Sequence, residues 1–190
     1  MKMDISKLLD PTDPVAIALE SVNDEQDDSL TRLFEGFDDI AELYNFLVDY
    51  RHFNEVFAPS VIRLASDIHF HFIELGLGPN GSEIASGVYK ACHHEYHESH
   101  NGREWTHSRL SHIFINHMYE SMDGSTRSRV RTLMSDDVSS YCARVISGYT
   151  DSKNSLGYRL GFHIGSEFMA ANEFHTIDKL TKKQFSEFYQ

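Results

Sequence analysis

The densest concentration of reactive side chains runs from His93 to His107: His-His-Glu-Tyr-His-Glu-Ser-His-Asn-Gly-Arg-Glu-Trp-Thr-His. It holds five of the chain's twelve histidines, together with Glu95, Glu98 and Glu104. Neutral imidazole and carboxylate are the ligands of non-heme iron, manganese and zinc, so metal chemistry is the first expectation. Read as the end of a helix stopped at Asn101-Gly102, the stretch puts Glu95 and Glu98 three apart on one face. His94 shares that side with Glu98, while His93, His97 and His100 make a second row. Both rows cannot face inward, and periodicity leaves Glu95 and Glu98 as alternatives. The competing reading is a solvated His/Glu patch. His107 lies just across a short loop from the carboxylates, where a mononuclear or dinuclear site would close. His112 and His117 read as exposed or core-satisfied imidazoles.

A further cluster lies at 161–178, where His163 and Glu167 are four apart and stand one above the other. Ile164, Phe168, Ala170 and Ala171 surround Glu167, which predicts a buried carboxylate whose pKa rises unless a cation or metal compensates. The alternative is a boundary glutamate paired with an arginine such as Arg159. His175 and Asp178 fall at what reads as the solvated end of the helix. Nothing matches GxGxxG, a Walker loop, GxSxG or HExxH. Cys92 and Cys142 stand far apart without a CxxC pairing, which argues against a disulfide framework or zinc ribbon. Neither reads as a nucleophile, although His93 beside Cys92 would lower its pKa. Tyr89, Tyr96 and Tyr141 are either hydrogen-bonding or redox-active phenols or core residues with one wet end.

The elements that must position these groups are helical. Period-2 strands bounded by turns are missing, while the 3.6-residue period recurs throughout. A weak helix follows Pro14, and a short one spans Leu30 to Phe34 before Gly36. Ile40, Leu43, Leu47, Tyr50 and Phe57 form a core stripe, with Pro59 expected to break or kink the helix. A helix over Ser60 to Leu75 follows, then one capped by Ser82 that carries the histidine stretch. Further helices run over Thr106 to Met122, from Ser135 through Ile146, and over Leu156 to Leu180, with a basic amphipathic segment at 125–134. The prediction is an all-α bundle of about seven helices in a single domain, 1–190, residues 1–29 being an N-terminal extension with a short helix.

The chain has 190 residues and a formal charge of −12, which argues against a general nucleic-acid or anionic-membrane binder. The run Asn23-Asp24-Glu25-Gln26-Asp27-Asp28 reads as a solvated loop or helix start. No signal-peptide pattern opens the chain and no run suits a membrane span, so a soluble cytoplasmic protein is expected.

With these residues in view, the sequence resembles the heme-oxygenase-like diiron oxidases, the group that includes the CADD-like proteins and is a structural cousin of TenA and PqqC. Three pieces carry the resemblance: Phe37 to Phe57, like the family's early core helix; the Glu-rich stretch with His-Ser-Arg-Leu-Ser-His-Ile-Phe at 107–114, like its first ligand region; and Gly-Ser-Glu-Phe-Met-Ala-Ala-Asn-Glu-Phe, like the helix with its central glutamate. The resemblance implies a seven-helix heme-oxygenase-like bundle binding Fe(II), with Glu95 or Glu98, His107 and Glu167 as ligands and His163 as a substitute ligand. It also implies an O₂-activating oxidase or oxygenase acting on a small organic substrate. The family's His-x3-Asp-x2-His set has no counterpart after Glu167. The expectation is therefore a bundle lacking that C-terminal helix, its iron dinuclear, mononuclear or lost, and its site completed in a homodimer or by a partner chain. The alternative function is a metal-free bundle of the same fold acting as a binding or interaction module, or as a TenA- or PqqC-like metal-independent enzyme.

Overall fold

The protein is all-α. The computed structural model describes residues 10, 12–100 and 102–186, and only the backbone of Val15, Asn23, His94, Glu98, His100, Ala171, Asn172 and Gln184. Seven α-helices are present among the described residues: α1 (Pro14–Glu35), α2 (Ile40–Glu74), α3 (Gly78–Ala91), α4 (His107–Ser121), α5 (Gly124–Arg127), α6 (Asp136–Thr150) and α7 (Leu156–Gln184). A 3-10 turn, His93–Glu95, and a two-stranded hairpin, β1 (Glu98–His100) and β2 (Arg103–Trp105), lie between α3 and α4. None of the described helices is long and apolar enough to cross a membrane. The chain divides into two compact units, residues 1–43 with 164–190, and residues 44–163.

In the first unit, Ala16 and Phe34 of α1 and Ile177 and Leu180 of α7 are buried, with Thr176 and Thr181 among them. The acidic run is not a loop: it lies in mid-α1, and the two short helices expected before Gly36 are one. Gln26 and Asp27 are half-buried, which explains why so polar a stretch stays helical: Asp27 accepts from Thr176 Oγ1, and Gln26 Nε2 lies 3.5 Å from Glu173 Oε2. Thr181 Oγ1 bonds back to the Ile177 carbonyl at 2.8 Å, which lets a hydroxyl sit at a buried position.

The second unit is built on the middle of α2. Phe57, Ala58, Val61, Leu64, Ala65 and Ile68 face one core together with Ala85, Val88 and Cys92, and with Val145 and Tyr149. Leu64 has no exposed surface, and a side chain of that size contributes about 1.5–3 kcal/mol on burial. The Tyr149 ring meets Phe57 and Phe162 edge-on, at 5.9 and 5.2 Å between centroids. Gly148 lets α6 pack against the Phe162 ring: a Cβ there would stand 2.6 Å from Phe162 Cζ.

Of the break or kink expected at Pro59, the break does not occur: α2 runs through it. Phe57 and Ala58 before it and Val61 and Leu64 after it bury into the same core, so packing holds the helix together across the lost backbone donor. Ser60 Oγ donates to the Val56 carbonyl at 2.7 Å in the affected turn. Helix α3 starts at Gly78 with Pro79 in its first turn, four residues ahead of the expected Ser82 cap, and has no side-chain cap. The caps of α4 and α6 are as the sequence suggests: Thr106 accepts from the Arg109 amide and Ser135 from that of Val138. Helix α6 continues to Thr150, past the expected loop at Gly148, because Gly148 and Tyr149 are buried contacts rather than turn residues. Asp123 caps α5, and its hydrogen bonds with Ser125 and Thr126 pull its pKa down to about 2. The basic segment at 125–134 is anchored by α2: Arg131 donates to Asp49 at 2.8 Å, and Asn45 accepts from the Arg131 amide at 2.7 Å.

Candidate functional site

The histidine-rich stretch is not a helix. Helix α3 ends at Ala91, and Cys92, buried completely, donates its thiol to the Tyr89 carbonyl. The chain then makes the 3-10 turn and a tight antiparallel hairpin pairing Glu98 with Trp105, Ser99 with Glu104 and His100 with Arg103. Gly102 turns it at φ +71°, a conformation glycine adopts freely. The helical-face argument for choosing between Glu95 and Glu98 therefore falls. The two carboxylates sit on different elements, Glu95 in the 3-10 turn and Glu98 on β1. Asn-Gly between short runs is the strongest local signal for a hairpin, and it was available in the sequence.

This geometry carries Glu95 to His107. Glu95 Oε1 lies 3.0 Å from His107 Nδ1, and both side chains are mostly buried, at 15% and 29% exposed. His107 opens α4 immediately after the Thr106 cap, so its backbone is fixed by the helix start. Tyr96, next to Glu95, has its pKa raised, first by burial and then by Cys92 and Glu95. Two residues before His107, the Trp105 Nε1 donor is shielded from water and lacks a hydrogen-bond partner among the described residues. The backbone of Glu98 lies opposite Trp105 in register; its side chain, like those of His94 and His100, is outside the described set. His93 and His97 are exposed, their rings stacked 4.6 Å apart, and His97 contacts Glu104 at 3.3 Å.

The other sequence candidates have their own places. His163 is buried in the second unit with Nδ1 3.3 Å from the Tyr149 hydroxyl, and burial lowers its pKa. Glu167 is half-buried in the first unit. Arg159 pairs with Asp67 at 2.6 Å and donates to the Tyr149 carbonyl.

Two clusters escaped the sequence reading. Glu55 faces His112 Nε2 at 3.0 Å and His52 Nδ1 at 3.2 Å, with Arg51 Nε at 3.6 Å. Arg51 also donates to His112 Nδ1 and His52 Nε2. A guanidinium only donates, so both imidazoles must accept on those nitrogens and carry their protons toward Glu55. The composition suits a metal, yet Arg51 already occupies the cation's role. The second is Glu173: burial raises its pKa from 4.5 to about 7. It precedes the buried Thr176, Ile177 and Leu180 by three, four and seven residues, the spacing of a core face.

No three His, Cys, Asp or Glu side chains among the described residues form a group able to hold a metal ion. Of the residues that the resemblance names as ligands, Glu95 and His107 lie together among the described residues. An all-α protein with a half-buried carboxylate–imidazole pair at a hairpin–helix junction is what fold and site define. No family model, curated protein or solved structure matches the chain.

Proposed function

We propose that the chain is a non-heme iron-dependent oxidase or oxygenase acting on a small organic substrate through the region around Glu95 and His107. The observation that carries this reading is the 3.0 Å approach of Glu95 Oε1 to His107 Nδ1. Two donors at about 2.1 Å from one metal, at a right angle, stand about 3.0 Å apart, so the same geometry suits neighbouring ligands. It equally suits Glu95 as the group that orients His107, leaving Nε2 as the ligand or base. Trp105 Nε1, two residues before His107 in sequence and without a hydrogen-bond partner among the described residues, is a buried donor that a ligand could satisfy. Iron would supply O₂ activation; the chain's own residues hold and orient. Glu98, carried opposite Trp105, is the third donor to test.

Anaerobic loading with Fe(II), followed by desalting and metal analysis, tests this reading. Retained iron that falls in Glu95→Ala, His107→Ala and Glu98→Ala is the expected result, and essentially no iron on the unaltered chain overturns it. The second reading, a metal-free bundle that binds a small molecule or a protein, is favoured by the fact that only two donors meet among the described residues. Oxygen consumption with Fe(II) and a reductant separates the two.

A further inference from the structure

We propose that the groove between α2 and α3 is a binding site for a neutral, flat heteroaromatic molecule. The inference stays within the second unit and uses neither Glu95 nor His107. The two helices are clamped at one end, where Gly81 packs on Phe72 so closely that a Cβ would lie 2.4 Å from the Phe72 Cβ. Beyond that clamp the facing positions are Ala65 and Ala85, too short to fill the space between the helices. An open groove of about 330 Å³ results, at the small end of the roughly 300–1,000 Å³ typical of ligand sites.

The chemistry of the walls sets the ligand class. Ser66, His69, Ser82, Ser86 and Tyr89 line the groove, and no lysine, arginine, aspartate or glutamate does. None of these five makes a side-chain hydrogen bond to another described residue, so all are available to a ligand. An ionic ligand would enter without a counter-charge, whereas a neutral one with ring nitrogens and carbonyls meets groups that both donate and accept. Tyr89 and His69 add aromatic faces, and the alanines an apolar floor, which favour a flat ring over a polyol.

Saturation-transfer NMR on the whole chain with benzimidazole, quinazolin-4-one and benzimidazole-5-carboxylate tests this. The neutral rings are expected to bind, with the carboxylate weaker by about tenfold, or ~1.4 kcal/mol. Ser86→Phe fills the groove from an exposed helical position and is expected to abolish binding with its melting temperature unchanged. His69→Ala, with the groove left open, is expected to weaken binding. Absence of transfer to either neutral ring, equal binding of the carboxylate, or binding that survives both substitutions overturns the proposal. Iron loading is unaffected by any of these outcomes, so the two proposals fail separately.

Discussion

Glu173 offers the sharpest quantitative test of how the first unit is held together. Its carboxyl sits against α1, near the Gln26 amide, and burial raises its pKa from 4.5 to about 7. Gln26 Oε1 is itself shielded from water and has no hydrogen-bond partner among the described residues, and a protonated Glu173 is the donor such an acceptor needs once the amide is turned. A folded-state pKa above the unfolded one means that the folded chain keeps its proton while the unfolded chain loses it. Stability from this group is therefore fully present below about pH 4.5, declines as pH rises, and is lost above about pH 7. At about 1.36 kcal/mol per pH unit between the two values, the loss is at most about 3 kcal/mol, and less where water reaches the carboxylate.

Glu173→Gln keeps the size and hydrogen-bonding ability of the protonated acid and removes the titration. Unfolding free energies from urea titrations of both proteins at half-unit steps from pH 4.5 to 8.5 give the comparison. The substitution is expected to be close to neutral at the acid end and to stabilise progressively toward pH 8, by up to about 3 kcal/mol relative to the unaltered chain. Contributions common to both proteins cancel in the difference. Two parallel curves would refute the reasoning, since they would mean that Glu173 ionises in the folded state as easily as in the unfolded one.

Other consequences follow from particular contacts. Gly148→Ala pushes a methyl into the Phe162 ring and is expected to cost about 1–3 kcal/mol in thermal unfolding, whereas Gly157→Ala, with open space at its Cβ, is expected to cost nothing. Thr106→Ala removes the α4 cap beneath His107; about 1 kcal/mol of stability should go, and Thr106→Ser should restore most of it. Arg51→Met leaves Glu55 with only imidazole partners, and ¹⁵N spectra of His52 and His112 should then lose the single-tautomer signature that Arg51 imposes.

Much of the architecture was legible because the all-α pattern is repeated many times over, and the caps at Thr106 and Ser135 are local chemistry read directly from residue type. Local rules failed where a distant surface decided the outcome. Pro59 is a local signal for a break or a kink, and no break occurs, because Val61 and Leu64 share a core with Phe57 and that burial outweighs one missing hydrogen bond. The acidic run stayed helical because Gln26 and Asp27 have partners about 150 positions away in sequence, which no window along the chain could reveal. The histidine stretch is a different kind of miss. Its ligand-like composition drew attention to a helical face, while Asn101-Gly102 already argued for a hairpin. The helix expected and the turn and hairpin observed have different consequences for function. A helix would have set Glu95 and Glu98 side by side and left His107 to find them. The 3-10 turn instead brings Glu95 to His107, while the hairpin register places the backbone of Glu98 opposite Trp105. A two-donor pair at a hairpin–helix junction makes Glu98 the residue on which the metal reading turns, because its removal distinguishes a third ligand from a strand residue in a way that removing Glu95 or His107 does not.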